Sequence, residues 1–167
     1  MEFRKSELED IADIMCIINK AKITLKEAGI NQWQTGYPNE EVIREDIIRS
    51  ESCVALIDNQ IVGTIAITFS KEHHYDTLRG GEWKNKDGTY AVIHRIAIDN
   101  DYKGKGIAGF LISQAEVLGK DLIQSIRIDT HENNIPMQNV IQKQGFGLCG
   151  YITLLDGTDR LSFEKLI

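Results

Sequence analysis

A glycine-rich turn in the second half of the chain has the composition of a phosphate-binding site. Residues 103–109 read Lys-Gly-Lys-Gly-Ile-Ala-Gly and stand between an apolar β-like run and an amphipathic helical pattern. Glycine lets the backbone approach a ligand closely because it has no Cβ. The free N–H groups and the positive dipole end at a helix start favour an anion such as pyrophosphate. The turn therefore either holds the phosphates of a ligand or is a flexible connection whose lysines point into water.

The same glycines match the dinucleotide-binding pattern G-x-G-x-x-G. Gly104, Gly106 and Gly109 supply the glycines, and Asp129 follows Gly109 by 20 residues, as the ribose-binding acid of that motif would. In a dinucleotide-binding fold, however, the turn follows its strand directly and opens a βαβαβ unit. Residues 99–102 intervene here, and too little chain remains for a second nucleotide-binding half. An NAD-binding domain is therefore the less favoured alternative.

The elements around this turn can be predicted from apolar periodicity and turn residues. Ser6 and Glu9 have the spacing of a capping box, which predicts the start of a first helix that ends at Gly29. A second helix begins at Asn39. The other predicted elements are strands at 53–57, 61–69, 90–98 and 125–129, helices after Gly106 and Asn134, and hairpins at Asp58-Asn59 and Asp156-Gly157. The order βααβββαβαββ implies an α/β protein with a mixed sheet and helices on both faces.

Composition narrows the class of protein. A length of 167 residues fits a single domain, and a formal net charge of -6 disfavours nucleic acid as a partner and suits a cationic one. No apolar run approaches the ~20 residues of a membrane span. The chain has three cysteines, Cys16, Cys53 and Cys149, which are far apart in the sequence. An odd number of scattered cysteines predicts buried reduced thiols and a cytoplasmic protein. No spacing of His, Cys and carboxylates indicates a metal site.

Two blocks of sequence together resemble the GNAT superfamily of N-acetyltransferases. The family signature Q/R-x-x-G-x-G/A at a helix start matches residues 103–108, with Lys103 in place of arginine or glutamine. A second block runs from Asp129-Thr130-His131 through Asn134 and Met137 to Gly145-Phe146. The resemblance covers essentially the whole chain. It implies a GNAT fold with a central mixed, mostly antiparallel sheet, and one N-acetyltransferase domain at 1–167.

The resemblance also implies an activity, which is transfer of the acetyl group of acetyl-CoA to a primary amine within a ternary complex. Strand 90–98 would pair its backbone with the pantetheine arm, and the N–H of Ile96 would polarise the thioester carbonyl. The implied cofactor contacts are Ile96, Ala97, Ile98, Lys103, Gly104, Lys105, Gly106, Ile107, Ala108, Asn134 and Met137. The acceptor would be a small-molecule amine or a protein N-terminus. Homodimers are common in the family.

His94 is the predicted general base. An alkylamine is mostly protonated near neutral pH, so a base within reach, directly or through water, assists the transfer. Alternation along the strand predicts that His94 shares a face with Val92, Ile96 and Ile98, which is the face the pantetheine should meet. A catalytic histidine occupies the matching position in the arylalkylamine branch of the family. The alternative is a histidine that hydrogen-bonds within the sheet and only shapes the pocket.

Acceptor recognition is assigned to three aromatic side chains in variable segments, Trp33, Tyr37 and Trp83, and to His131, which would either line the mouth of the site or simply begin a helix. The aromatic side chains could stack on an acceptor or cover its cation, or they could be packing residues. Many family members carry a tyrosine at the position of Ile141, where it protonates the departing thiolate. Because this chain lacks that acid, a non-catalytic acetyl-CoA-binding sensor is a second alternative.

Overall fold

The computed structural model describes residues 1–167 and contains seven β-strands and four α-helices. In chain order they are β1 Glu2–Lys5, α1 Ile11–Glu27, α2 Glu40–Ile48, β2 Ser52–Ile57, β3 Gln60–Thr68, β4 Tyr90–Ile98, α3 Ile107–Gly119, β5 Ser125–Thr130, α4 Ile135–Lys143, β6 Gly147–Thr153 and β7 Asp159–Leu166. This order is the predicted one. None of the helices combines the length and the apolar character needed to cross a bilayer.

The strands form one mixed sheet in the order β1-β2-β3-β4-β5-β7-β6. The β1/β2, β2/β3, β5/β7 and β6/β7 pairs are antiparallel, whereas β4 and β5 are parallel. The parallel pairing joins residues 90–93 of β4 to residues 125–128 of β5. The predicted mixed, mostly antiparallel sheet is therefore confirmed.

Turn and cap residues act where the sequence places them. Gly29 follows α1 with a φ of 71°, which is the left-handed conformation that ends many helices. The side chain of Asn39 accepts the N–H of Val42 at 3.0 Å and so caps α2. Asp58 and Asn59, with φ of 50° and 62°, form the tight turn between β2 and β3.

The start of the first helix differs from its prediction. Ser6 does not cap the helix, because its Oγ lies 2.8 Å from the Oγ of Ser52. Asp10 instead accepts the N–H of Glu7 at 2.8 Å, in a short 3-10 helix that precedes α1. Asp10 also forms a two-pronged ion pair with Arg4, at 2.6 and 3.0 Å.

The cysteines are only partly as predicted. Cys53 and Cys149 are buried free thiols, and burial raises the pKa of both. A raised pKa keeps a thiol protonated and unreactive. Cys16, however, is exposed on α1, so the expectation that all three are buried is wrong.

Two compact units can be distinguished, the first made of residues 1–67 and 94–114. Its main core packs α1 and α2 against strand residues and contains Ile11, Ile14, Ile17, Ile18, Ile43, Val54, Leu56, Ile61 and Ala97. Gly63 allows the start of α3 to approach β3. A Cβ at this position would lie only 3.0 to 3.2 Å from Ile98, Ile107 and Leu111.

The second compact unit comprises residues 68–93 and 115–167 and is built around a buried ion pair. Arg127 and Glu164 are 2.9 Å apart, and their side chains are 3% and 0% exposed. The Arg127 guanidinium lies 4.0 Å from the ring centroid of Trp83 and 3.7 Å from that of Tyr90. Such cation–π contacts favour the charge more strongly when water is excluded.

This ion pair also fastens the long polar segment 70–88. Glu164 accepts the backbone N–H groups of Lys84 and Asn85, in addition to its bonds from Ser125 and Arg127. The segment contains one short helical stretch, the 3-10 helix His73–Thr77.

We predict that Glu164→Ala strongly destabilises the protein because it leaves the Arg127 charge buried without its partner. Breaking a buried ion pair costs about 3–5 kcal/mol. At roughly 2–4 °C per kcal/mol for a chain of this size, the melting temperature should fall by about 6–20 °C.

Glu116→Ala is the matched control for this measurement. Glu116 pairs with Lys165 at 2.7 Å, but both side chains are about a quarter exposed, at 28% and 26%. Pairs near the surface contribute below about 1 kcal/mol. Equal melting temperatures for the two variants would contradict the structural role of the buried pair.

Candidate active site

Strand β4 changes conformation at Arg95. This residue has a φ of 50° inside the strand, in the left-handed region that residues other than glycine avoid. The conformation costs roughly 1–2 kcal/mol for an ordinary side chain. His94, Arg95 and Ile96 are half-buried, whereas residues 90–93 before them are buried. The strand is therefore distorted at Arg95, between His94 and Ile96, the two predicted catalytic residues.

The distortion alters which residues share a face. Ala97 packs into the core formed with α1 and α2, whereas Ile98 lies against Ile107 and Leu111 of α3. His94 is close enough to α2 to interact electrostatically with Asp46. A left-handed residue interrupts the two-residue alternation of a strand, and the common face of His94 with Val92, Ile96 and Ile98 was predicted from that alternation.

The side chain of Arg95 is held by two partners from the chain between α1 and β2. Its Nε and Nη2 donate to the carboxylate of Asp46 at 2.6 and 2.8 Å, and its Nη1 donates to the hydroxyl of Tyr37 at 2.6 Å. The Arg95 and Asp46 side chains are 13% and 6% exposed. Burial opposes the charge on Arg95, but Tyr37 and Asp46 outweigh it and raise the arginine pKa.

The segment 31–39, which contains the predicted acceptor contacts Trp33 and Tyr37, is tied to α1. Lys22 donates to the backbone oxygen of Pro38 at 2.5 Å, and Gln34 donates to the backbone oxygen of Lys22 at 3.1 Å. Trp33 packs against the α1–α2 core, whereas Tyr37 is 41% exposed. Of the two aromatic residues, Tyr37 is the more exposed.

The glycine-rich turn opens α3 in the way an anion site requires. Gly104 and Gly106 have φ of 77° and 80°, and a Cβ on either would meet nothing within 4 Å, so the space beside them is open. The first α-helical bond runs from the Phe110 N–H to the Gly106 oxygen at 3.0 Å. The N–H groups ahead of Phe110 therefore lack helical partners. The residues fit a pyrophosphate, which needs open space and free donors.

Asp99 fixes the turn to the end of β4. Its N–H donates to the backbone oxygen of Val62 at 2.9 Å, and its carboxylate accepts the N–H of Asp101 at 3.0 Å. Lys20 of α1 reaches the same carboxylate at 2.9 Å and lowers the aspartate pKa. The carboxylate is thus bonded to α1 and to the 3-10 helix Asn100–Tyr102, while the backbone of Asp99 is bonded to β3.

The predicted cofactor and acceptor residues of the second unit lie around the start of α4. The side-chain oxygen of Asn134 caps this helix by accepting the N–H of Met137 at 3.2 Å. The Nδ1 atom of His131 accepts the N–H of Asn133 at 3.1 Å, and burial lowers the pKa of the His131 imidazole. Asn134 and His131 therefore both form hydrogen bonds to the backbone of the segment that follows β5.

Trp83 has a packing role in the structure. Its indole N–H donates to the backbone oxygen of Tyr75 at 2.9 Å, and its ring stacks on the Tyr75 ring and on the Arg127 guanidinium. The Tyr75 hydroxyl in turn donates to the Asp129 carboxylate at 2.6 Å. Asp129 is thus engaged by a buried tyrosine rather than standing open for a ribose.

Sequence reasoning missed Arg95 and Asp46. The available signal was the adjacent pair His94-Arg95 in a run that is otherwise apolar, since two successive polar residues cannot both follow the alternation of a strand. Nothing in the sequence indicated that Asp46, on the polar-looking second helix, would be the partner of Arg95.

A central strand distorted at Arg95 and followed by an open glycine turn at a helix start has room and free donors for a phosphate-containing ligand. Comparison with known families specifies the class. Residues 19–146 match the model of the acetyltransferase (GNAT) family. The match covers most of the chain, and the chain therefore belongs to the GNAT family of acetyltransferases.

Individual relatives agree with this assignment. The crystal structure of a GNAT-family acetyltransferase from Streptococcus agalactiae is 33% identical, with a TM-score of 0.91 over 99% of this chain and 95% of that one. The N-acetyltransferase PaiA from Thermoplasma acidophilum, solved in complex with coenzyme A, shares the fold at 23% identity and a TM-score of 0.73, over 99% and 98% of the chains. Streptothricin acetyltransferase from Escherichia coli is 29% identical over 68% of this chain and 58% of its own length.

We predict that Gly106→Val abolishes the thermal stabilisation of the protein by coenzyme A. The valine side chain would fill the open space beside the helix start and block the approach of phosphates. The wild type should gain roughly 2.7 kcal/mol at 100 times the dissociation constant. NAD should give no stabilisation of either protein.

Gly29→Val is the matched control, because Gly29 also has a positive φ of 71° and open space around it. Both valines are strained, so both should lower the melting temperature of the free protein. Only the Gly29 variant should retain the shift with coenzyme A. A shift with coenzyme A that survives in Gly106→Val would refute the turn as the phosphate site.

Proposed function

We propose that residues 1–167 form a single N-acetyltransferase domain that transfers the acetyl group of acetyl-CoA directly to a primary amine. The observation that carries the proposal is the open, positively charged glycine turn at the start of α3, which follows the left-handed residue Arg95 of β4 in the same compact unit. The family match, which includes residues of both compact units, supports one transferase domain.

The turn supplies the binding energy for the diphosphate end of the cofactor. The N–H groups of Ile107 and Ala108, with the exposed Lys103 and Lys105 beside them, would hold the negative charge. When bound, acetyl-CoA would supply the acetyl group as a thioester, and transfer forms a C–N bond to the amine while the C–S bond breaks. The backbone of Ile96, Ala97 and Ile98 would run along the pantetheine arm. Asn134 and Met137 remain proposed contacts of that arm.

Two groups on β4 would act on the reacting atoms. The N–H of Ile96 would donate to the thioester carbonyl oxygen, where negative charge develops; a single donor of this kind is worth about 10²–10³ in rate. His94 would accept the proton that the attacking amine gives up, directly or through a water molecule. Because the site uses no cysteine as an acyl carrier, both substrates must be bound together.

The acceptor is an amine, either of a small molecule or of a protein N-terminus. The net charge of -6 favours a cationic acceptor over an anionic one. Tyr37 is exposed and next to Arg95, and it is the proposed aromatic contact of the acceptor, together with His131. Trp83 would act through packing of the 70–88 segment. Because one relative is a streptothricin acetyltransferase, small molecules that carry amino groups are the first acceptors to test.

Release of free thiol from acetyl-CoA, measured against a panel of diamines, amino sugars, aminated antibiotics and peptides with free N-termini, tests the proposed function. An amine-dependent rate well above slow hydrolysis supports it. Tight binding of acetyl-CoA without transfer to any amine would instead support a cofactor-sensing module.

His94→Ala should lower kcat with the best amine by something like 10²–10⁴-fold, the contribution typical of a general base. The melting temperature and the affinity for coenzyme A should change little. His73→Ala serves as the control, since the His73 side chain is fully exposed, and this variant should keep wild-type activity. A His94→Ala variant with wild-type kcat would return His94 to a structural role.

Ile141→Tyr should change turnover by no more than about tenfold. A thiol resembling cysteine ionises near pH 8.5, so a departing thiolate near neutral pH needs little help from an acid, about 1.4 kcal/mol per pH unit. Ile141 is fully buried, so the larger side chain should also cost about 1–3 kcal/mol of stability. An inactive wild type that becomes active with Ile141→Tyr would overturn this prediction and the proposed activity of the natural chain.

A further inference from the structure

The peptide group between Arg95 and Ile96 carries the N–H on which the proposed transfer depends. The direction of this N–H relative to the preceding part of β4 depends on the backbone angles of Arg95, whose φ is 50°. A side-chain-bearing residue stays in this region only where its surroundings impose it. Something in the structure must therefore hold Arg95 in place.

We propose that Arg95, Asp46 and Tyr37 form a clamp that holds the left-handed backbone of β4 and thereby aims the N–H of Ile96 at the acetyl carbonyl. These three are positioning residues, since they act through the Ile96 N–H. The inference rests on the proposed function for its catalytic consequence. Its structural part, that the clamp maintains the backbone angle, stands without any ligand.

The geometry of the ion pair explains how a side chain controls a backbone angle. Arg95 presents Nε and Nη2 to the two carboxylate oxygens of Asp46, at 2.6 and 2.8 Å. Two parallel bonds from a planar guanidinium fix its direction as well as its position. Because a change to extended φ would redirect the Cβ of Arg95, the two bonds to Asp46 oppose relaxation of the backbone.

The surroundings make these bonds difficult to break. Asp46 lies within α2, whose start is capped by Asn39, and its side chain is only 6% exposed. Leaving either charge buried without its partner is unfavourable. The clamp is therefore anchored on α2, which is itself fixed, and it resists a change in the backbone conformation of β4.

Tyr37 extends the clamp to the surface. Its hydroxyl accepts the third bond of the guanidinium, from Nη1 at 2.6 Å, while the residue is 41% exposed. The segment that carries it is tied to α1 through the bond from Lys22 to Pro38. An acceptor that binds against Tyr37 would thus contact the same unit that orients the Ile96 N–H.

The chain offers a close control in the ion pair of Arg4 with Asp10. It has the same two-pronged geometry, at 2.6 and 3.0 Å, and Asp10 is 8% exposed. It belongs to the same compact unit as the clamp but joins β1 to the start of α1. Asp10→Asn and Asp46→Asn therefore make the same chemical change at two places.

The backbone part of the proposal is tested on the free protein by NMR. A positive φ brings the amide and α hydrogens of a residue close together and gives a strong NOE between them. We expect this NOE at Arg95 in the wild type and in Asp10→Asn, and a clear weakening in Asp46→Asn and in Arg95→Lys, which keeps the charge but loses the planar fork. An unchanged NOE in both clamp variants would overturn the proposal.

The catalytic part is tested with acetyl-CoA carrying ¹³C at the carbonyl. Infrared spectra of the bound thioester should show a lowered carbonyl frequency in the wild type and in Asp10→Asn, and a return toward the free value in Asp46→Asn and Arg95→Lys. In these clamp variants kcat should fall by on the order of 10²-fold, while the dissociation constant of coenzyme A stays within about twofold. Wild-type frequency and kcat in both would overturn the catalytic consequence.

The two experiments separate failure of the clamp from failure of the proposed function. If the wild type shows no acetyl-CoA binding or no lowered frequency, the proposed role of Ile96 is overturned, while the NMR result still decides whether the clamp exists. If Asp46→Asn does not fold, Tyr37→Phe replaces it. Removal of that one hydroxyl should weaken the Arg95 NOE, and an unchanged NOE in both Tyr37→Phe and Arg95→Lys would count against the clamp.

Discussion

The ion pair of Arg95 with Asp46 is the interaction that joins strand and helix at the candidate site of the first compact unit. It connects the centre of β4 to α2, and through Tyr37 it reaches the segment before that helix. Burying a charged pair gives little net stability compared with apolar side chains of the same size. The ion pair instead contributes specificity, because the directional bonds of the guanidinium define one arrangement of helix and strand, whereas apolar packing would allow several.

The architecture around this pair could be predicted from sequence because local chemistry determines it. Gly29, Asn39 and Asp58-Asn59 each impose a backbone conformation that has few alternatives, and the structure uses them as predicted. Gly104 and Gly106 likewise occupy the left-handed region that only glycine enters at little cost. The element order and the turn before α3 follow from residues that are neighbours in the chain.

The parts of the candidate site that escaped prediction depend on residues distant in sequence. Arg95 and Asp46 are 49 positions apart. The apolar periodicity of the sequence predicted a regular alternation for β4, because periodicity does not include contacts with residues distant in the chain. The same applies to Trp83, whose exposed-looking, polar surroundings in the sequence conceal its contacts with Tyr75 and Arg127. Tertiary contacts decided both cases.

The segment 70–88 has little regular structure, yet hydrogen bonds attach it at short intervals to the rest of the second compact unit. Tyr75 is bonded to Asp129, Arg79 pairs its backbone with Tyr151, and Lys84 and Asn85 donate to Glu164. Fixing the backbone of a residue costs on the order of 1–2 kcal/mol of conformational entropy. In this segment the conformational entropy is lost when the protein folds, before any ligand binds. A ligand that contacts this segment meets an ordered backbone, so its affinity is not reduced by the entropy of ordering a loop.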